Sequence, residues 1–259
     1  MDFVVYPGSR IARLPPFLRW PVLLVRNLVR RGAGEKFVYS GDGLVTHHFS
    51  PFLVDPIFSD LYDRMAARWF DRPIDVRWRM WILTQCARQC VALPGSFVEF
   101  GVYRAGCAFM ILSTAQLQQG RPFYLFDTFH GIPHTNVTEN EARENLPGRY
   151  SDTSASYIAD YLQAWSANVV IVEGDVFETI PVTEVGKIAF CHLDLNLSAP
   201  TKLALEYLYP RLVPGAMLVL DDYGWKGYED QRAVLDAFFV DKPEQLIALP
   251  TGQALVVKL

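Results

Sequence analysis

The sequence predicts a doubly wound α/β domain: a seven-stranded, mostly parallel sheet ending in an antiparallel hairpin, with a helical N-terminal region ahead of it. Three observations carry this reading. Beyond residue 94, short apolar runs alternate with helical patterns, as expected of parallel strands joined by crossover helices. The last two runs, LIALP and ALVVKL, are separated only by the turn-forming TGQ, which is too short for a crossover, so they pair antiparallel. Acids stand where apolar runs stop, at Asp127, Asp175, Asp194 and the Asp221, Asp222 pair, and open α/β sheets bind ligands beyond such strand ends.

The chain begins with a basic segment. Every charge in residues 10–31 is positive (Arg10, Arg13, Arg19, Arg26, Arg30, Arg31), and Pro15, Pro16 and Pro21 interrupt any long helix there. The segment reads as an arm that packs on the main domain or on a partner subunit, as in a homodimer. The other reading is peripheral contact with an anionic membrane surface. Residues 58–70 and 76–93 carry apolar side chains at helical spacing, and Pro94 and Gly95 stop the second helix. Strands follow at FVEFG, FYLFD, VVIVEGD, KIAFCHLD and MLVLDD, with helices through FMILSTAQLQ, IADYLQAW, KLALEYLYPRL and AVLDAFF between or after them. Residues 1–93 therefore read as an arm and helical region, and residues 94–259 as a cofactor-binding domain. The long connection at 128–154 reads as a lid over a substrate site.

Composition narrows the classes. A hydrophobic fraction of 51% excludes general disorder, and a net charge of −4 gives no reason to expect a nucleic-acid partner. Cys86, Cys90, Cys107 and Cys191 form no C-x-x-C pair and read as free thiols of a reducing compartment. No apolar run reaches the ~20 residues needed to span a bilayer, and no secretory signal pattern opens the chain, so the cytoplasm is the expected location. Hydrolase motifs such as G-x-S-x-G and H-E-x-x-H are absent.

The run FVEFGVYRAG places Glu99, Gly101, Tyr103 and Gly106 around a turn that opens a helix, where backbone can approach a nucleoside-type cofactor. Asp127, closing FYLFD ahead of Thr128, stands where an acid can accept hydrogen bonds from both hydroxyls of a ribose. Asp175 can accept from an adenine amino group while Val176 and Phe177 offer the ring a face. On the other side, neighbouring strand ends lie about 4.8 Å apart, so Asp194, Asp221 and Asp222 can converge. Carboxylates that close repel one another, and a hard cation such as Mg²⁺ relieves the conflict. The alternative is that one of the paired acids caps the next helix and Asp194 belongs to a turn.

The acids at successive strand ends look like those of S-adenosylmethionine-dependent class I methyltransferases, whose Rossmann-like fold ends in an antiparallel strand. More specifically, FVEFGVYRAG, YLFDTFHGIP, EGDVFETIP, HLDLNLSAPTKLALEYLYPRLVPGA and LVLDDYGW, in this order, resemble the macrocin O-methyltransferase (TylF-type) family. The resemblance spans roughly residues 76–259. It implies Mg²⁺-dependent methylation of a sugar hydroxyl on a glycosylated natural product or saccharide. It implies Asp194, Asp221 and Asp222 as metal ligands, with Glu99, Gly101, Asp127 and Asp175 holding S-adenosylmethionine. Several members carry D-x-D-x-Y after the metal strand, the second acid serving as base. Here Asn196 and Leu197 follow instead, and Asn cannot take a proton. His130 and His134 in the lid are then the candidate bases. A catechol-type O-methyltransferase and a non-catalytic binding protein that keeps the fold are the alternatives.

Overall fold

A computed structural model of the chain describes residues 37–69, 74–144 and 146–259, together with Pro15 and Pro21. The basic segment at 10–31 therefore lies almost wholly outside the described residues. Among the described residues from 37 onward, a short hairpin, β1 (Tyr39–Gly41) and β2 (Leu44–Thr46), comes first. A compact unit is formed by residues 51–259 together with 41–43. It takes in both helices that the sequence reading counted with the N-terminal region.

Helix α1 (Pro56–Trp69) starts with Asp55, whose Oδ1 accepts from the Phe58 amide at 2.9 Å, and Pro56 fills the first helical position, where no N–H is needed. It buries Phe58, Leu61, Tyr62 and Met65, one stripe at helical spacing. Helix α2 (Arg77–Gln89) buries Met80, Leu83, Thr84 and Ala87. The chain leaving it is tied down by Arg121, which donates to the carbonyls of Val91, Leu93 and Gly95 at 2.6 to 2.8 Å.

The sheet then builds from the centre. Strand β3 (Ser96–Phe100) is followed by α3 (Gly106–Ala115), and β4 (Phe123–Asp127) lies parallel to β3. A long connection carries α4 (Glu139–Arg143), then α5 (Ala155–Tyr161) leads to β5 (Val169–Glu173) at the edge. After α6 (Val176–Thr179) the chain crosses to the other side of β3 with β6 (Ile188–Leu193), α7 (Ser198–Leu208) and β7 (Leu212–Leu220). Helix α8 (Glu229–Phe239) and the antiparallel strands β8 (Ile247–Ala248) and β9 (Ala254–Val257) finish it. The order is β5-β4-β3-β6-β7-β9-β8, and the sheet has seven strands, parallel from β5 to β7 and antiparallel at the end, as the sequence predicts. β3 and β6 are buried at every residue, the pattern of central parallel strands covered on both faces. Because the chain runs outward from β3 in both directions, the β3–β6 boundary is the point where connections diverge and a crevice opens.

The connection at 128–154 is held in shape by its own bonds. Ile132 and Gly148 exchange backbone bonds with Arg149 and Ile132, at 2.9 and 2.8 Å. Thr138 and Glu141 form a capping box on α4, and Glu141 Oε1 also accepts from the Ser198 amide at 2.6 Å. One end of this segment is thus anchored to the start of α7.

Candidate active site

A cavity of about 950 Å³ opens at the carboxyl ends of the strands. Its walls include Gly101, Tyr103, Asp127, Thr128 and Asp175 to Phe177 on the β3–β4–β5 side, and Asp194, Asn196, Asp221 and Asp222 on the β6–β7 side. Trp69, Tyr150, Trp225 and Tyr228 add aromatic wall.

The β3 turn is shaped by close packing. A Cβ on Gly101, at φ +84°, would sit 1.8 Å from the carbonyl oxygen of Asp194, so only glycine lets the two strand ends meet. Tyr103 and Ala105 also take left-handed backbone, at φ 51° and 58°. The turn's amides do not stay open: Val102 and Tyr103 donate to Asp127 Oδ2 at 2.7 and 2.8 Å, and Phe129 donates to Oδ1 at 2.7 Å. Asp127, expected to serve ribose with both oxygens, already spends three acceptor sites on its own backbone. Asp175 caps α6 by accepting from Phe177 at 3.0 Å, and Thr128 Oγ1 donates to the Gly131 carbonyl at 2.7 Å.

Two predicted cofactor residues stand away from the cavity wall. Gly106 begins α3, where a Cβ would collide with the Trp69 ring at 2.5 Å, so its role is packing. Glu99 is 1% exposed, and its Oε1 lies 2.8 Å from His192 Nδ1, its register partner on β6. Strand alternation turns this side chain into the core beneath the crevice. Burial disfavours a charged His192, but the carboxylates of Asp221 and Glu99 outweigh it and push the imidazole up to about 10. His192 Nε2 in turn faces Asp221 Oδ1 at 3.6 Å, beyond hydrogen-bond reach.

The predicted metal carboxylates all line the cavity, but their partners differ. Asp221 Oδ2 accepts from Arg79 Nη1 at 2.6 Å, and Oδ1 accepts from Gln253 Nε2 at 2.9 Å. Burial pushes its carboxyl up, yet Arg79 and His192 more than offset this and hold it below the usual carboxylate range. Burial and then Asp221 push Asp194 up, while burial, Asp194 and Asp221 push Asp222 up. Asp222 Oδ2 is buried with no hydrogen-bond partner. Asp194 and Asp221, with His192, offer ligand atoms within 4.8 Å of one another. The hard oxygens of Asp194 and Asp222, short of positive charge, fit a cation such as Mg²⁺, whereas Asp221 is held by protein donors.

Asn196 sits at φ 63°, a left-handed backbone position that Asn tolerates, and its Nδ2 donates to Asp194 Oδ1 at 2.7 Å. Tyr228 donates to its Oδ1 at 3.3 Å. It orients an acid and accepts no proton. The two lid histidines lie outside the cavity wall: His130 is 83% exposed, 3.8 Å from Glu173, and His134 is exposed beside Gly148. A loop sequence fixes neither its path nor which way its side chains face.

Sequence reasoning passed over Arg79, Gln253, Trp225 and Tyr228. Arg79 left a signal, because it falls among the buried Val76, Met80 and Leu83 at the start of α2, and a charge among such residues needs a buried partner.

The strand order and the crevice at the β3–β6 boundary define the methyltransferase version of the doubly wound sheet. The calicheamicin methyltransferase CalS11 shares this fold at TM-score 0.61 and 22% identity, over 81% of this chain and 94% of that one. An O-methyltransferase from Bacillus cereus, in complex with S-adenosylhomocysteine, shares it at TM-score 0.54 and 11% identity, over 89% and 97% of the two chains. A family model described as Macrocin-O-methyltransferase (TylF) matches residues 75–242, and the chain belongs to that family. A Streptomyces olivaceus relative is 8-demethyl-8-(2,3-dimethoxy-alpha-L-rhamnosyl)-tetracenomycin-C 4'-O-methyltransferase. It is 28% identical over 155 residues, 54% of this chain and 58% of the relative, so the match spans little more than half of that curated protein.

Proposed function

We propose that the protein transfers the methyl group of S-adenosylmethionine to a sugar hydroxyl of a glycosylated natural product, with Mg²⁺ bound at Asp194 and Asp222. The observation that carries this is one cavity walled on one side by the β3, β4 and β5 ends and on the other by buried carboxylates, one oxygen of which has no partner. Family membership and the rhamnosyl acceptor in the relative's name support the acceptor class.

S-adenosylmethionine supplies a methyl already activated by its sulfonium, and Mg²⁺ supplies positive charge beside the acceptor oxygen. The chain's task is then chiefly to position and to exclude water. Gly101, Tyr103, Val176 and Phe177, on the cavity wall, are the residues that would hold the cofactor. Asn196 fixes the Asp194 carboxylate through its 2.7 Å bond. Trp225 and Tyr228 line the cavity and would pack against the apolar side of a sugar.

Calorimetric titration with S-adenosylhomocysteine, with and without Mg²⁺, tests this first. One-to-one binding followed by release of S-adenosylhomocysteine from S-adenosylmethionine and a glycoside panel is the expected result. Binding without turnover on any diol acceptor points to a non-catalytic binding protein. No binding in either condition refutes the proposal.

A further inference from the structure

Arg79 reaches from α2 into the acid cluster and is held on three sides. Its Nε and Nη2 donate to the two oxygens of Asp42 at 3.1 and 3.2 Å, and its Nη1 donates to Asp221 at 2.6 Å. Its guanidinium carbon stands 5.0 Å from the Trp225 ring centroid. The side chain is 14% exposed, and those of Asp42 and Asp221 are 9% and 4% exposed. Such a planar fork, stacked and paired bidentately, is a fixed charge rather than a roaming one. Each Asp221 oxygen already has a protein donor, since Gln253 holds the other. Yet Asp194 and Asp222 line the same cavity beside it, and Asp222 Oδ2 is buried with no hydrogen-bond donor, which leaves room for a charge the chain does not supply.

Resting on the cation reading above, we propose that Arg79 is a resident counter-ion that excludes the divalent cation from Asp221. Arg79 and the cation are alternative partners of that one carboxylate. The cation takes Asp194 and Asp222 while the guanidinium keeps Asp221, and it gains a third carboxylate only where Arg79 lets go. The identity of residue 79 therefore sets how tightly the site holds a divalent ion. A plain field effect of removing one positive charge would act through every carboxylate at once. Exclusion acts through Asp221 alone, and the two separate in a double-mutant cycle.

Mn²⁺ is the probe, its dissociation constant read by electron paramagnetic resonance of the free ion, with the full chain in each sample. Arg79→Ala is expected to bind Mn²⁺ at least about 10-fold more tightly than wild type, equivalent to about 1.4 kcal/mol. Asp221→Asn alone is expected to change the affinity less than about 3-fold, because Asp221 is not a ligand while Arg79 holds it. The double variant is expected to return to within about 3-fold of wild type. Arg79→Gln, which keeps the stem over Trp225, repeats the measurement should the alanine variant fold poorly. Unchanged or weaker Mn²⁺ binding in the Arg79 variants, additive effects in the cycle, or no measurable binding in any sample overturns the proposal. S-adenosylhomocysteine titration of the same samples shows whether the methyl-transfer reading falls with it.

Discussion

The two halves of the crevice treat their acids in opposite ways. On the β4–β5 side, Asp127 and Asp175 are spent on the chain itself, accepting four backbone N–H bonds between them. On the β6–β7 side, Asp222 is buried and Asp194 half-buried, both are raised by desolvation and by their neighbours, and one Asp222 oxygen has no hydrogen-bond donor. The first half is finished and shapes a pocket, while the second is electrostatically incomplete. A ligand's shape is read where the protein is satisfied, and its charge is taken where the protein is not.

The sharpest break of this contrast removes the joint between the halves. Gly101→Ala forces a Cβ against the Asp194 carbonyl, and we expect about 4 kcal/mol or more of lost stability by chemical denaturation. A loss below about 1 kcal/mol would mean the strand ends part easily. Next, Asp222→Asn should lower turnover by about 100-fold while leaving S-adenosylhomocysteine affinity within about 3-fold. Equal losses in both would erase the division between halves. Asp127→Ala should do the reverse, costing about 2 kcal/mol of stability through unpaired amides and weakening S-adenosylhomocysteine binding with it.

Acidity gives a subtler test. Asp222 is raised in the folded state, so its proton is held more tightly folded than unfolded, and cation-free stability is lost as pH rises from about 4 through its raised value. Asp222→Asn lacks that loss, so its melting temperature should gain on wild type as pH goes from 4 to 8. A constant gap between the two would show that Asp222 is not raised. The smallest effect belongs to the lid, where His134→Ala should leave turnover within about 2-fold because its side chain stands outside the cavity wall.

Much of this frame was legible in the chain. The seven strands, their parallel run and the antiparallel end followed from apolar runs, crossover helices and the TGQ turn, and Asp194, Asp221 and Asp222 were placed on the cavity wall because they end apolar strands. What escaped depends on register and on distance. Glu99 reads as a cofactor acid until β3 is set against β6, where it falls opposite His192. Arg79 meets Asp221 across 142 residues, and no local pattern couples the two. Asn196 reads as a lost base in sequence, but its left-handed backbone and its bond to Asp194 give it another task.

Gln253, on the turn into β9, gives the site an order of assembly. In a chain synthesised from its N-terminus, Arg79 emerges first, Asp221 follows 142 residues later, and Gln253 another 32 residues after that. At ~5–20 residues per second that last interval lasts about 2–6 seconds, with Asp221 already made and its amide donor still to be added. A nascent chain released before residue 253 carries the cluster without its final clamp and without β9 to cover the edge of β7. The centre of the molecule is thus completed by the turn into its last strand.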